Sequence, residues 1–225
     1  MAETKRALII GASRGLGLGL VHVLQNDGWA VAATVRGQAP AELTQAGATV
    51  HTLEMNELAS IDALAHELNG QTFDVVFINA GVMGPTGPLE EVSAQDMANL
   101  FTTNVLSPIR LATRLVGTLR PHTGVLAFMS STLGTVASPD ALEIPLYKAS
   151  KAALNSMVNS FSNTLPEPRP TLLCMHPGWV KTDMGGSQAE IDVPTSTQGM
   201  VAQLNTYAGK GGLHFINYKG GPLPW

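Results

Sequence analysis

The sequence predicts an α/β protein built on a doubly wound parallel sheet of about seven strands, with helices on both faces. Short apolar runs recur along the chain with helical stretches between them. The first of these runs ends in a glycine-rich turn that opens a helix. At 225 residues, the chain suits one domain spanning 1–225, long enough to bury a substantial core.

Lys5-Arg6-Ala7-Leu8-Ile9-Ile10 reads as the first strand, basic at its start and then apolar. It runs into Gly11-Ala12-Ser13-Arg14-Gly15-Leu16-Gly17, after which Leu16, Leu20, Val23 and Leu24 recur at helical spacing over 16–27. Further strands are expected at 29–35, 49–53, 73–78, 125–129, 172–175 and 213–216. The helices between them are expected at 58–69, 93–118, 147–165 and 196–207, with a short one near 40–46. This alternation, with right-handed crossovers, leaves the doubly wound arrangement as the commonest topology. Pro166-Glu167-Pro168-Arg169-Pro170 ends a helix before the next strand. Glycine and proline gather again at 177–199, the stretch best suited to a mobile loop.

Composition narrows the function classes. Hydrophobic residues make up 44% and charged residues 13%, so a packed core is expected. A net charge of −4 provides no basic footprint for nucleic acid. The single cysteine, Cys174, lies in the strand-like run Thr171-Leu172-Leu173-Cys174-Met175 and suits packing in a reducing compartment. Only four apolar residues follow Met1–Arg6, too few for a signal peptide or a membrane span, so a soluble cytoplasmic protein is expected. The six histidines show no zinc-ligand spacing, and no metal is expected. Gly209-Lys210-Gly211-Gly212 lacks the surroundings of a phosphate loop.

The chemistry is carried by a few short motifs. Strand, glycine turn and helix in that order suit a dinucleotide pyrophosphate, held on the free amides of the helix start. Tyr147 and Lys151 are four residues apart, one turn along a helix. A free phenol titrates near ~10, and a neighbouring ammonium would lower that value and make Tyr147 a usable general acid or base. Asn79-Ala80-Gly81 and Ser130-Ser131 each follow an expected strand, Pro177-Gly178 lies just past another, and Asn104 is a polar residue inside an apolar helix. Each piece alone also fits a turn, a kink, a loop hydroxyl or a chain reversal. Together they collect at or near strand carboxyl ends, where ligands bind in open α/β sheets.

Taken together, these motifs resemble the short-chain dehydrogenase/reductase family over nearly the whole chain, with a Rossmann-type fold. His176-Pro177-Gly178-Trp179-Val180-Lys181-Thr182-Asp183-Met184-Gly185-Gly186 and the ending Pro222-Leu223-Pro224-Trp225 are similar to its C-factor/sniffer-like carbonyl reductase branch. The resemblance implies a catalytic tetrad of Asn104, Ser131, Tyr147 and Lys151, with Ser131 chosen as the second serine of the pair. In it Tyr147 supplies the proton and Ser131 orients the same oxygen. Lys151 holds the nicotinamide ribose, and Asn104 holds a water linking the lysine to solvent.

The cofactor is expected on Gly11, Ser13, Arg14, Gly15, Leu16 and Gly17 of the loop and on Asn79, Ala80 and Gly81. Tyr147 and Lys151 join it, with Pro177, Gly178, Val180 and Thr182 on the nicotinamide side. Glu54 stands where the family usually carries an aspartate near the adenine, with the Met55 backbone as the alternative contact. The second strand ends in Val35-Arg36-Gly37 without an acidic residue, so Arg36 and Arg14 are expected to grip a 2′-phosphate. This predicts NADP(H) over NAD(H).

Met83, Ser131, Leu146, Trp179 and Met184 are candidate substrate contacts, and a small, largely apolar carbonyl or alcohol is the expected substrate. The segment between Ser131 and Tyr147, with Pro139, Asp140, Glu143 and Pro145, is longer than the family's commonest spacing and predicts an unusual substrate-side rim. The resemblance also implies a homodimer or homotetramer joined through the helices near 93–118 and 147–165. The competing reading is a sensor or cell-signalling protein that keeps the reductase fold and responds to cofactor occupancy. All four tetrad residues are present, which favours catalysis.

Overall fold

The computed structural model describes residues 3–138 and 144–225. Seven strands form one sheet in the order β3-β2-β1-β4-β5-β6-β7. They are β1 (Arg6–Ile10), β2 (Ala30–Val35), β3 (Thr49–Thr52), β4 (Val75–Ile78), β5 (Val125–Met129), β6 (Thr171–His176) and β7 (Gly212–Asn217). Every neighbouring pair is parallel. From β1 the chain winds outward to β2 and β3, then returns to β4 on the other flank of β1. A cleft therefore opens beyond the carboxyl ends of β1 and β4, where the winding direction reverses.

Alternation along each strand sends side chains to opposite faces, and both faces are covered. Leu8, Ile10, Val76, Ile78, Leu126 and Phe128 pack against α3 (Leu58–Glu67), α5 (Ser107–Leu115) and α6 (Pro145–Thr164). Ala7, Ile9, Val75, Phe77, Val125 and Ala127 pack against α1 (Gly15–Asn26), α2 (Ala41–Gln45) and α7 (Val193–Tyr207). Phe77 and Phe128 are fully buried on opposite faces of adjacent strands. Each such ring contributes roughly 1.5–3 kcal/mol by leaving water.

All seven expected strands are present, with bounds within two residues of those expected. The expected helix at 93–118 is four pieces: α4 (Ala94–Phe101), a π-helical turn at Thr102–Leu106, α5, and a 3₁₀ turn at Val116–Thr118. Asn104 lies in the π turn, and Pro108, which has no N–H to give to the turn before it, follows directly where the helix continues into α5. The helix expected from 196 begins at Val193 instead, because the Asp192 carboxylate accepts from the Thr195 amide at 2.9 Å and Pro194 preorganises the first turn. Pro145 opens α6, while Pro139, Asp140 and Glu143 of the unusual rim lie outside the described residues. No helix among the described residues is long and apolar enough to cross a membrane.

Candidate active site

The glycine turn is a tight knot. Gly11 has φ +83, and a Cβ there would come within 2.6 Å of the Ala80 Cβ. A Cβ at Gly17 would lie 2.1 Å from the Gly11 carbonyl oxygen and 2.7 Å from Asn79 Nδ2. The Asn79 amide donates to that same carbonyl at 2.7 Å, fastening the end of β4 to the end of β1. From β2, Thr34 closes the other side: its hydroxyl oxygen accepts from the Gly11 amide at 3.0 Å, and its carbonyl from Ala12 at 2.9 Å. Arg14, the residue before α1, caps the helix with no side-chain bond, and the first turn holds no acidic residue. The opening amides are left for an anionic ligand.

A groove of about 340 Å³ runs from this turn across the sheet edge to α6. Gly11, Ser13, Arg14, Gly15 and Leu16 border it at one end, with Arg36, Glu54 and Met55 beside them. Asn79, Ala80 and Gly81 form its middle and Tyr147 and Lys151 its far end, while Thr182, Asp183 and Met184 line the side facing the glycine turn, where a Cβ at Gly15 would lie 3.6 Å from the Thr182 side chain. Gly17 lies behind the turn and acts by letting α1 approach the Gly11 carbonyl. Glu54 stands 4.0 Å from the Arg36 guanidinium and accepts from the Asn56 amide at 3.2 Å. Arg14 is paired with Asp183 at 2.5 Å.

At the far end, α6 presents Tyr147 and Lys151 on one face. The ammonium lies 5.5 Å from the phenol ring centroid and donates to the Met129 carbonyl at 2.9 Å. Lys151 is 3% exposed. Burial lowers its pKa to about 8, and burial pushes the Tyr147 phenol up to about 12. This corrects the expectation that the lysine lowers the phenol's pKa. Desolvation of the phenolate outweighs the attraction of a cation whose hydrogen bond goes to a backbone carbonyl.

Asn104, 1% exposed, reaches out of its π turn. Its Oδ1 accepts from the Val82 amide at 2.9 Å, and its Nδ2 donates to the Val82 carbonyl at 2.8 Å and to Ser150 Oγ at 3.1 Å. The amide thus clamps the chain leaving β4 onto α6. A Cβ at Gly81 would lie 3.3 Å from Asn104 Oδ1 and 3.5 Å from Lys151 Nζ. The space over Gly81 is therefore bordered by both groups.

The two serines after β5 differ sharply. Ser130, 2% exposed, donates from Oγ to Asn155 Oδ1 at 2.7 Å. Ser131 accepts from the Leu133 amide at 3.1 Å, which leaves its own hydroxyl proton free for a ligand.

Beyond β6, Pro177 is tied through its carbonyl to Ser196 Oγ at 2.6 Å. Gly178 takes φ +87, where a Cβ would strike Ile191 at 2.6 Å. Val180 is buried and paired with Ile191. These three residues lie outside the groove's lining and hold Thr182 against it. Among the expected substrate contacts, Met184 borders the groove. Trp179 does not, being half exposed with its indole nitrogen donating to the Gly185 carbonyl at 2.8 Å. Met83, Ser131 and Leu146 likewise fall outside the lining. Sequence reading missed Thr34, the Met129 carbonyl and Asp183. Thr34 acts through a contact between neighbouring strands, the Met129 carbonyl through one from β5 to α6, and Asp183 pairs with a residue 169 positions away.

The model of the short chain dehydrogenase family matches residues 5–192. The chain belongs to this family. Its members are oxidoreductases, and the sheet order and the groove at the switch point are those of a Rossmann-like fold. The C-signal protein of Myxococcus xanthus is 39% identical over 156 residues, covering 68% of this chain and 92% of that protein. A carbonyl reductase of Pseudomonas aeruginosa PAO1, solved in complex with NADP, is 38% identical with a TM-score of 0.90, covering 99% of this chain and 100% of that one. The carbonyl reductase Sniffer of D. melanogaster is 32% identical with a TM-score of 0.87, again covering 99% of this chain and 100% of that one. The last two likenesses and C-signal agree with the branch read from His176–Gly186.

Proposed function

We propose that the protein is an NADP(H)-dependent carbonyl reductase with Tyr147 as general acid. The observation that carries this is the shared placement of Tyr147 and Lys151 at the end of a groove that begins at the α1 amides. The donor set fits the cofactor: unpartnered helix-start amides and two guanidiniums suit phosphates, and the Lys151 ammonium has N–H groups left beyond its bond to Met129. The NADP in the Pseudomonas reductase supports the same choice. A bound dihydronicotinamide supplies the hydride.

As a carbonyl is reduced, negative charge grows on its oxygen and needs a donor already in position. Tyr147 gives its proton to that oxygen, and Ser131 donates its free hydroxyl proton to the same atom. The phenol carries its proton at neutral pH, as donation to a carbonyl requires. Lys151 orients the ribose. A water over Gly81, between Asn104 Oδ1 and Lys151 Nζ, would return a proton from solvent. The apolar side chain of Met184 on the groove wall favours a small, largely apolar aldehyde or ketone. Exposed Met97, Leu106 and Met157 on and between α4 and α6 favour association of copies through these helices.

The likeness to C-signal favours a second reading, a signalling protein switched by cofactor occupancy. A panel of aldehydes and ketones with NADPH separates the two. Oxidation of NADPH by any member supports the reductase. A fully inert panel with tight NADPH binding supports the sensor.

A further inference from the structure

The groove carries two cation–carboxylate pairs among its lining residues. Arg14 Nη1 lies 2.5 Å from Asp183 Oδ2, and Arg36 Nε lies 4.0 Å from Glu54 Oε2. Both side chains of the shorter pair are largely exposed, at 77% and 76%. Asp183 is the single hydrogen-bonding partner of the Arg14 guanidinium among the described residues, and it sits between Thr182 and Met184 in the segment facing the glycine turn.

We propose that Asp183 is a specificity-determining residue: its carboxylate holds the Arg14 guanidinium in the free protein and must yield it to the cofactor's 2′-phosphate. The inference rests on the NADP(H) reading above and assigns the residue that tempers it. Carboxylate and phosphate are alternative ligands for one guanidinium fork, each binding through paired oxygens. A phosphate with close to two charges outcompetes a single carboxylate. Because the pair is exposed, opening it costs little, so exchange is reversible and Asp183 recaptures Arg14 as the cofactor leaves. NADH brings a neutral hydroxyl at that position, which does not repay the exchange, so the pair stays closed when it binds.

The test is titration calorimetry of NADPH and NADH on the full chain, for wild type, Asp183→Asn, Arg14→Met and the double variant. Circular dichroism reports folding, and the exposure of both side chains makes loss of the fold unexpected. Removing the competitor should tighten NADPH by about two- to fivefold and leave NADH unchanged. In the Arg14→Met background the same substitution should leave NADPH unchanged, because there is no guanidinium to release. Equal tightening of both cofactors, or tightening that persists without Arg14, makes Asp183 a general repulsive charge and overturns the proposal. Wild-type protein that binds neither cofactor, or prefers NADH, is a distinct result: it overturns the NADP(H) reading and this inference with it.

Discussion

The Lys151 ammonium donates to the Met129 carbonyl at 2.9 Å, pinning the helix that carries Tyr147 to the strand that leads into Ser131. The same lysine is therefore both a buried cation and a brace. Its pKa falls from 10.5 to about 8 on folding. Between those values the lysine holds its proton in the unfolded chain and loses it in the folded one, so its own contribution to stability rises with pH across that window by roughly 3 kcal/mol, while the buried Cys174 thiol and Tyr147 phenol contribute in the opposite sense. Lys151→Met removes the burial cost of the charge but orphans the Met129 carbonyl, a loss of about 1–3 kcal/mol. We expect near-wild-type stability at neutral pH, a loss of about 3 kcal/mol relative to wild type between pH 8 and 10.5 in urea titrations, and turnover lower by on the order of 10².

His176 should govern acid sensitivity. Burial lowers its pKa from 6.5 to about 4, and its Nδ1 is buried without a partner among the described residues. As pH falls from 6.5 the unfolded chain takes up the proton first, so stability is lost progressively down to about pH 4. His176→Gln should lose about 2–3 kcal/mol less than wild type between pH 7 and 4.5 in urea titrations. Parallel losses in the two proteins would remove His176 from this account.

Neighbouring serines should fail differently. Ser130→Ala leaves the buried Asn155 Oδ1 without its donor, so stability should fall by about 1–2 kcal/mol while turnover persists. Ser131→Ala removes the hydroxyl, so turnover should fall at least tenfold, on the order of one lost hydrogen bond to charge, and loss of the cap on the Leu133 amide should lower stability by about 0.5–2 kcal/mol as well. Thermal melts and steady-state rates on the two variants check the contrast.

Two glycines separate close packing from open loop. A methyl at Gly17 would press on the Gly11 carbonyl and the Asn79 amide, whereas Gly37 has nothing within 4 Å. Gly17→Ala should cost about 1–3 kcal/mol and abolish measurable dinucleotide binding, and Gly37→Ala should do neither. Fluorescence titration with NADPH alongside thermal melts distinguishes them.

The sheet was legible because its strands are buried on both faces and so read as unbroken apolar runs, as in Val125–Met129. Helix 93–118 misled because periodicity does not register a π turn. That turn is set by Asn104 reaching across to Val82, a contact 22 residues away. Asp192 followed by Val193-Pro194 was a readable start signal for α7 that periodicity alone overlooked. The glycine turn and the Tyr147–Lys151 pair are local patterns and stand out in the sequence. Thr34 on Gly11, Met129 on Lys151 and Asp183 on Arg14 depend on which distant elements the fold brings together. The phenol's raised pKa was hidden for the same reason: spacing reveals the lysine but not the burial that outweighs it.

The most direct measurement is Tyr147→Phe, assayed for turnover on a reactive aldehyde and for NADPH affinity by calorimetry. Loss of the donated proton should lower turnover by on the order of 10²–10⁴ while NADPH affinity stays within about twofold. Turnover close to that of wild type, with cofactor bound normally, would contradict Tyr147 as the proton donor.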